Sequence, residues 1–217
     1  MTLALFDLDN TLICDDSDNL WGEFLVGEGL VDAAEYGEKN EKFYQDYKRG
    51  ELDIYAYLQF VARGINSIEA SKRESIRSKF MEEKIKKVML PKAAALLDEH
   101  RKQGHTIMVI TATSSYITQP IVNALGIELL LAPELEQKGD YFTGGVVSTP
   151  TFQQGKVERL ETWLAQNNES ISGAYFYSDS HNDLPLLKVV DNPVAVDPDE
   201  KLEKYCEKNN IPVISLR

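Results

Sequence analysis

Apolar positions fall along this chain in two rhythms. At the start, LALF runs unbroken up to Asp7, Leu8 and Asp9, as expected of a short buried strand cut off by acids. From residue 17 to 88 the rhythm becomes helical. Phe43 and Tyr47, then Ile54, Leu58 and Val61, recur at intervals of three and four, with Gly50 and Gly64 as punctuation. This stretch predicts three or four two-faced helices and no strand.

Beyond Pro91 the two rhythms alternate. AAALLDEHRKQG predicts a helix stopped by Gly104, TIMVIT a buried strand, and SSYITQPIVNALG a second helix ending at Gly126. IELLLAPE predicts another strand, and LEQKGDYFTGGVVSTP a hairpin turning at Lys138, Gly139 and Asp140. GKVERLETWLAQN then reads as helix, AYFYSDS as strand, LPLLKVV as a short helix and NPVAVD as strand. A helix over DEKLEKYCEKN and a terminal strand, PVISL, close the order. Strands alternating with helices imply an α/β fold, a Rossmann-like parallel sheet with helices on its faces. The helical stretch then becomes an insertion after the first strand. The expected division is a core of residues 1–15 and 89–217 and a helical cap of residues 16–88.

Composition narrows the partners. The 23 basic and 35 acidic residues leave a net charge of -12 with no basic run, which argues against nucleic acid or an anionic membrane. No apolar run approaches the length of a membrane span, and the first residues lack the pattern of a secretory signal. The two cysteines, Cys14 and Cys206, stand in no metal spacing, which favours a reducing, cytoplasmic setting. The oligomeric state is not readable.

Ligands of an open parallel sheet bind beyond the carboxyl ends of its strands. There the pattern places Asp7 and Asp9 after the first strand, Thr111 after the second, and Ser178, Asp179, Asn182 and Asp183 in YSDSHND. Lys156 stands near the start of a helix. Two carboxylates ~4 Å apart repel by roughly 4 kcal/mol at an effective dielectric of 20, so such a cluster needs a compensating charge. Carboxylates without His or Cys at ligand spacing favour a hard cation, Mg2+. A lysine, a hydroxyl and amides at helix starts suit a phosphate. One carboxylate then serves as nucleophile and another handles protons.

The ordered set D-x-D-x-T-L, Thr, Lys and D-x-x-x-D resembles the haloacid dehalogenase superfamily of phosphohydrolases. DSHNDLPLL is similar to its phosphoserine-phosphatase branch. The resemblance covers nearly the whole chain and implies a Mg2+-dependent phosphomonoesterase. Asp7 would attack phosphorus to form an aspartyl-phosphate, and Asp9 would protonate the leaving group and then activate water. Thr111 and Lys156 would hold the phosphoryl group, and Asn182 would touch phosphate or substrate. Mg2+ would bind the Asp7 carboxylate, the Asp9 carbonyl and Asp179, with Asp183 acting through water or by orienting Lys156.

Asp16, nine residues after the nucleophile, matches an acid that faces the substrate amine in that branch, with Asp18 in support. Substrate contact and helix capping are evenly matched for this pair, and Asp18 is the expected N-cap. The branch carries a cap arginine where Gln59 stands here, with Arg63 one turn later. Its two glycines after the second motif are replaced by Ala112 and Thr113. These departures point to an amino-alcohol phosphate without a carboxylate, such as histidinol phosphate. The alternatives are a phosphoserine phosphatase, a phosphotransferase and a non-catalytic module binding a phosphorylated ligand. Trp21 stacks on an imidazole or packs in the cap. Tyr44, Tyr47, Tyr55 and Tyr57 are expected in the cap core, His181 at the edge of the site, and His100 and His105 at the surface.

Overall fold

A computed structural model describes residues 2–217. In chain order the elements are β1 (Leu3–Phe6), α1 (Ser17–Gly27), α2 (Ala33–Arg49), α3 (Ile54–Asn66), α4 (Arg73–Phe80), α5 (Lys86–Val88), α6 (Pro91–Lys102) and β2 (Thr106–Ile110). There follow α7 (Ser115–Ala124), β3 (Leu129–Leu131), β4 (Leu135–Lys138), β5 (Tyr141–Val146), α8 (Gln154–Asn167) and β6 (Tyr175–Ser178). The chain closes with α9 (Leu184–Leu187), β7 (Asn192–Val196), α10 (Glu200–Asn209) and β8 (Val213–Ile214). A π-helical turn, Met81–Ile85, joins α4 to α5, so the last of the inserted helices is broken.

Six strands form one parallel sheet in the order β3-β2-β1-β6-β7-β8, and β4 and β5 form a separate antiparallel pair. From β1 the chain winds to one side through β2 and β3, then crosses back to β6 and winds to the other. The order therefore reverses between β1 and β6. A parallel sheet opens a crevice at such a reversal, beyond the strand ends.

The side-chain period of two decides what faces each way. Leu3 and Leu5 of β1 pack with Val157 and Leu160 of α8 and with Leu202 and Cys206 of α10. Ala4 and Phe6 point oppositely, into a cluster that includes Leu97 of α6, Ile121 of α7 and Trp21, Leu58 and Phe80 of the inserted helices. The inserted segment thus shares one apolar cluster with a face of the sheet. His100 belongs to that face: it is buried, 2.9 Å from the Tyr177 hydroxyl and 2.8 Å from His105, which corrects its expected surface position. Its helix α6 turns it inward between the Phe6, Tyr175 and Tyr177 rings.

Candidate active site

Asp7 continues the Leu3, Leu5 side of β1, the side covered by α8. There it meets Lys156, whose Nζ lies 2.9 Å from Asp7 and 2.7 Å from Asp183. All three are almost wholly buried. Lys156 is held there by a tight turn into α8: a Cβ on Gly155 would fall 2.0 Å from the Pro150 carbonyl oxygen, so only glycine fits before it. Asp183 also accepts from the Ser178 hydroxyl at 2.7 Å, which aims it at the lysine.

Backbone pairing brings the other strand in. The Asp7 amide donates to the Tyr177 carbonyl at 2.9 Å, setting the end of β1 beside the end of β6. Thr11 crosses between them: its hydroxyl donates to Asp179 Oδ1 at 3.0 Å and accepts from the Asp179 amide at 3.1 Å. The ammonium therefore meets two carboxylates directly, Asp7 and Asp183, and Thr11 ties Asp179 to the same pair of strand ends. Asp7 is raised to about 7, by burial first and by Asp183 and Asp9 besides, against the lowering pull of Lys156. Asp179 is raised by burial and then by Asp7. Burial pulls Lys156 down, but Asp183 and Asp7 outweigh it and hold the ammonium charged.

Asp9 turns to the cap side. Its Oδ1 accepts from the Ser17 amide at 2.7 Å and its Oδ2 from the Thr113 hydroxyl at 2.8 Å, with the Thr111 hydroxyl farther away at 3.4 Å. Burial raises its pKa, opposed by these donors. Among the described residues no three Asp, Glu, His or Cys side chains form a ready-made metal cage. Asp183 is committed to Lys156, and the Asp9 carboxylate to Ser17 and Thr113.

Above this floor lies a cavity. Asp7, Asp9, Asp16, Asp18 and Thr111 line it together with Phe43, Tyr44, Tyr47 and Tyr57. Among the described residues no lysine or arginine lines it. Asp16, not Asp18, is the N-cap of α1, accepting from the Asn19 amide at 2.8 Å, because only the residue before the first helical one can reach back to free amides. Asp18, in the first turn, keeps one buried carboxylate oxygen without a hydrogen-bond partner. Burial and Asp9 raise Asp16 to about 7, and burial and Asp16 push Asp18 well above the carboxylate range.

Other expectations separate here. Asn182 does not reach the cavity. It lies in a short turn, His181–Asp183, and its Nδ2 donates to the Tyr47 carbonyl at 3.0 Å while its Oδ1 accepts from Gln153 at 3.1 Å. Tyr44 and Tyr47 line the cavity, Tyr57 lines it while packing in the apolar cluster as expected, and Tyr55 is exposed. Trp21 packs against Phe24, Phe80 and Tyr116. Gln59 and Arg63 are exposed. Sequence reading passed over Thr11, Ser17 and Thr113. Thr11 is the threonine of the D-x-D-x-T-L pattern, whereas Ser17 acts through its backbone amide, which no residue type marks.

The model of haloacid dehalogenase-like hydrolases matches residues 4–188. The chain belongs to this family. It is 41% identical over 219 residues to the histidinol-phosphatase of Neisseria meningitidis serogroup C (strain 8013), covering 99% of both chains. A phosphoserine phosphatase of Streptococcus thermophilus (strain ATCC BAA-250 / LMG 18311) is 24% identical over 89% of this chain and 82% of its own. Among solved structures, a Bordetella pertussis Tohama I protein of unknown function superposes with a TM-score of 0.92 at 34% identity, over 100% of both chains. A substrate-bound phosphoserine phosphatase shares the fold, with a TM-score of 0.69 at 19% identity over 98% of this chain and 92% of that one. The protein is thus a haloacid dehalogenase-type phosphatase with a parallel sheet, and the strand-end cluster is its candidate active site. No helix among the described residues of the phosphatase is long and apolar enough to cross a membrane.

Proposed function

We propose that this phosphatase hydrolyses a small cationic amino-alcohol phosphate, with histidinol phosphate the leading candidate, through an aspartyl-phosphate on Asp7. The reading rests on one observation. The Lys156 ammonium, paired with Asp7, lies beneath a cavity that offers carboxylates and aromatic rings to an entering ester, and no basic side chain. Such a lining favours a positively charged leaving group and repels one bearing a carboxylate.

Lys156 and the Thr111 hydroxyl hold the phosphoryl oxygens, and Asp7 attacks phosphorus in line. Asp9 protonates the departing oxygen, then takes a proton from the water that attacks next. Asp16 receives the substrate ammonium, with Asp18 beside it. The donor set suits a magnesium ion, which needs few protein oxygens and keeps its waters. The Asp7 and Asp179 carboxylates and the Asp9 carbonyl would hold it, and when bound it supplies the positive charge that one ammonium among four carboxylates lacks. The helical segment 16–88 acts as a cap on the core of residues 1–15 and 89–217. Its two crossings run side by side where Ile13 bridges Met89 and the Cys14 amide donates to the Val88 carbonyl at 2.9 Å. The unpaired thiols Cys14 and Cys206 accord with a cytoplasmic setting.

Phosphate release over a panel of phosphorylated metabolites with Mg2+ tests the reading. The expected result is turnover of histidinol phosphate well above that of phosphoserine. Asp16→Asn should raise KM for histidinol phosphate by about tenfold, the scale of one lost charge contact, and much less for p-nitrophenyl phosphate. Preference for phosphoserine, or an equal effect of Asp16→Asn on both esters, would remove the cationic-substrate assignment.

A further inference from the structure

We infer that Thr113 is a positioning residue for Asp9, fixing its carboxyl where it can protonate a departing alkoxide and so fitting the enzyme to alkyl more than aryl phosphates. The inference rests on the role proposed above for Asp9. Thr113 is buried, and a buried hydroxyl is costly unless hydrogen-bonded. Its partner is Asp9 Oδ2 at 2.8 Å, while the Ser17 amide holds Oδ1 at 2.7 Å. Two donors, from different elements and on opposite oxygens, fix the plane of the carboxyl.

The turn after β2 does not require this hydroxyl. The Thr113 backbone amide makes the local contact, donating to the Thr111 hydroxyl at 3.2 Å. Thr111 itself approaches Asp9 only to 3.4 Å, and a bound phosphoryl group claims its hydroxyl. Thr113 is then the one threonine left holding Asp9 during turnover.

In the first half-reaction an Asp7 oxygen bonds to phosphorus as the bond from phosphorus to the leaving oxygen breaks, and the Asp9 proton passes to that oxygen. In the second, water bonds to phosphorus as the Asp7–phosphorus bond breaks, and Asp9 recovers a proton from the water. Thr113 ends each half unchanged. Its contribution scales with the need of the leaving group for a proton. An alkoxide needs one, whereas p-nitrophenolate departs without it.

The test compares histidinol phosphate with p-nitrophenyl phosphate in Thr113→Val, Thr113→Ser and Asp9→Asn enzymes, with Mg2+ present. Thr113→Val should lower the single-turnover rate of leaving-group release, the half in which the esters differ, by about 10- to 100-fold for the alkyl ester, part of the range general acid catalysis supplies, and far less for the aryl ester. Thr113→Ser should restore the alkyl rate, and Asp9→Asn should show the same leaving-group dependence more strongly. Should Thr113→Val not fold, Thr113→Ala against Thr113→Ser carries the same comparison. Equal losses on both esters in the Thr113 variant, or no rescue by serine, would overturn this inference alone. So would a higher KM with unchanged kcat, which would assign the hydroxyl to Asp18, a carboxylate it also faces. Equal losses in Asp9→Asn would overturn the proposed role of Asp9 and this inference with it.

Discussion

Lys156 carries more of the site's electrostatics than any other single residue. Its ammonium touches Asp7 and Asp183, and none of the three has water to turn to. Removing one partner of a buried ion pair strands the other's charge, which costs about 3–5 kcal/mol. Lys156→Met should therefore destabilise the protein by about that amount near neutral pH, read by urea denaturation, and abolish turnover as well. Asp7→Asn has a different expected outcome. The amide relieves repulsion from Asp183 and Asp9, so the variant should melt no lower than the wild type while releasing no phosphate. Retained activity in it would remove the nucleophile assignment. The motif residues were legible because their type and order carry the chemistry. Thr113 was not, since a threonine three residues beyond a strand end announces nothing until Asp9 is seen beside it.

At the scale of elements, the end of α2 is gripped from the sheet side. Asn182 donates to the Tyr47 carbonyl at 3.0 Å, Lys201 to that of Arg49 at 3.0 Å, and Gln153 to that of Gly50 at 3.2 Å. The Tyr47 carbonyl also accepts from the Gly50 amide at 2.9 Å, and three donors from separate segments complete the carbonyls of this helix end. Gly50 ends the helix at φ 78°, and a Cβ there would lie 3.0 Å from His181 Nε2. Gly50→Ala should destabilise this junction by about 1–2 kcal/mol, the cost of a left-handed backbone for an L-residue. Hydrogen exchange of the last turn of α2 should speed up, and KM should rise because Tyr44 and Tyr47 ride on that helix. Unchanged exchange would show that the grip does not hold α2. Glycine punctuation marked the end of α2 in the sequence, but the donors lie more than 100 residues away.

Across the whole molecule, opposing groups shape the response to pH. Asp16 is raised from 3.8 to about 7, so its contribution to stability is full below about pH 4 and is lost as pH rises through about 7. His100 is lowered from 6.5 by burial and by His105, so its contribution is present above 6.5 and is lost as pH falls below that. Metal-free wild type should lose stability relative to Asp16→Asn between about pH 5 and about pH 8, by on the order of 2–4 kcal/mol. Thermal melts in a chelator check this, and a constant gap would contradict it. Mg2+ should raise the melting temperature more at the upper end of that range, since it binds ionised carboxylates. The alternation of strands and helices, the insertion after β1 and the acids at the strand ends were all written in the order of residues, because hydrophobic period and motif spacing are local properties of a chain. Which carboxylate meets the lysine, which meets a hydroxyl, and which tyrosines leave the cap core for the cavity were decided only when β1 and β6 came to lie side by side and α2 closed over them. Those contacts join residues that no spacing relates, and burial and direction arise only from packing.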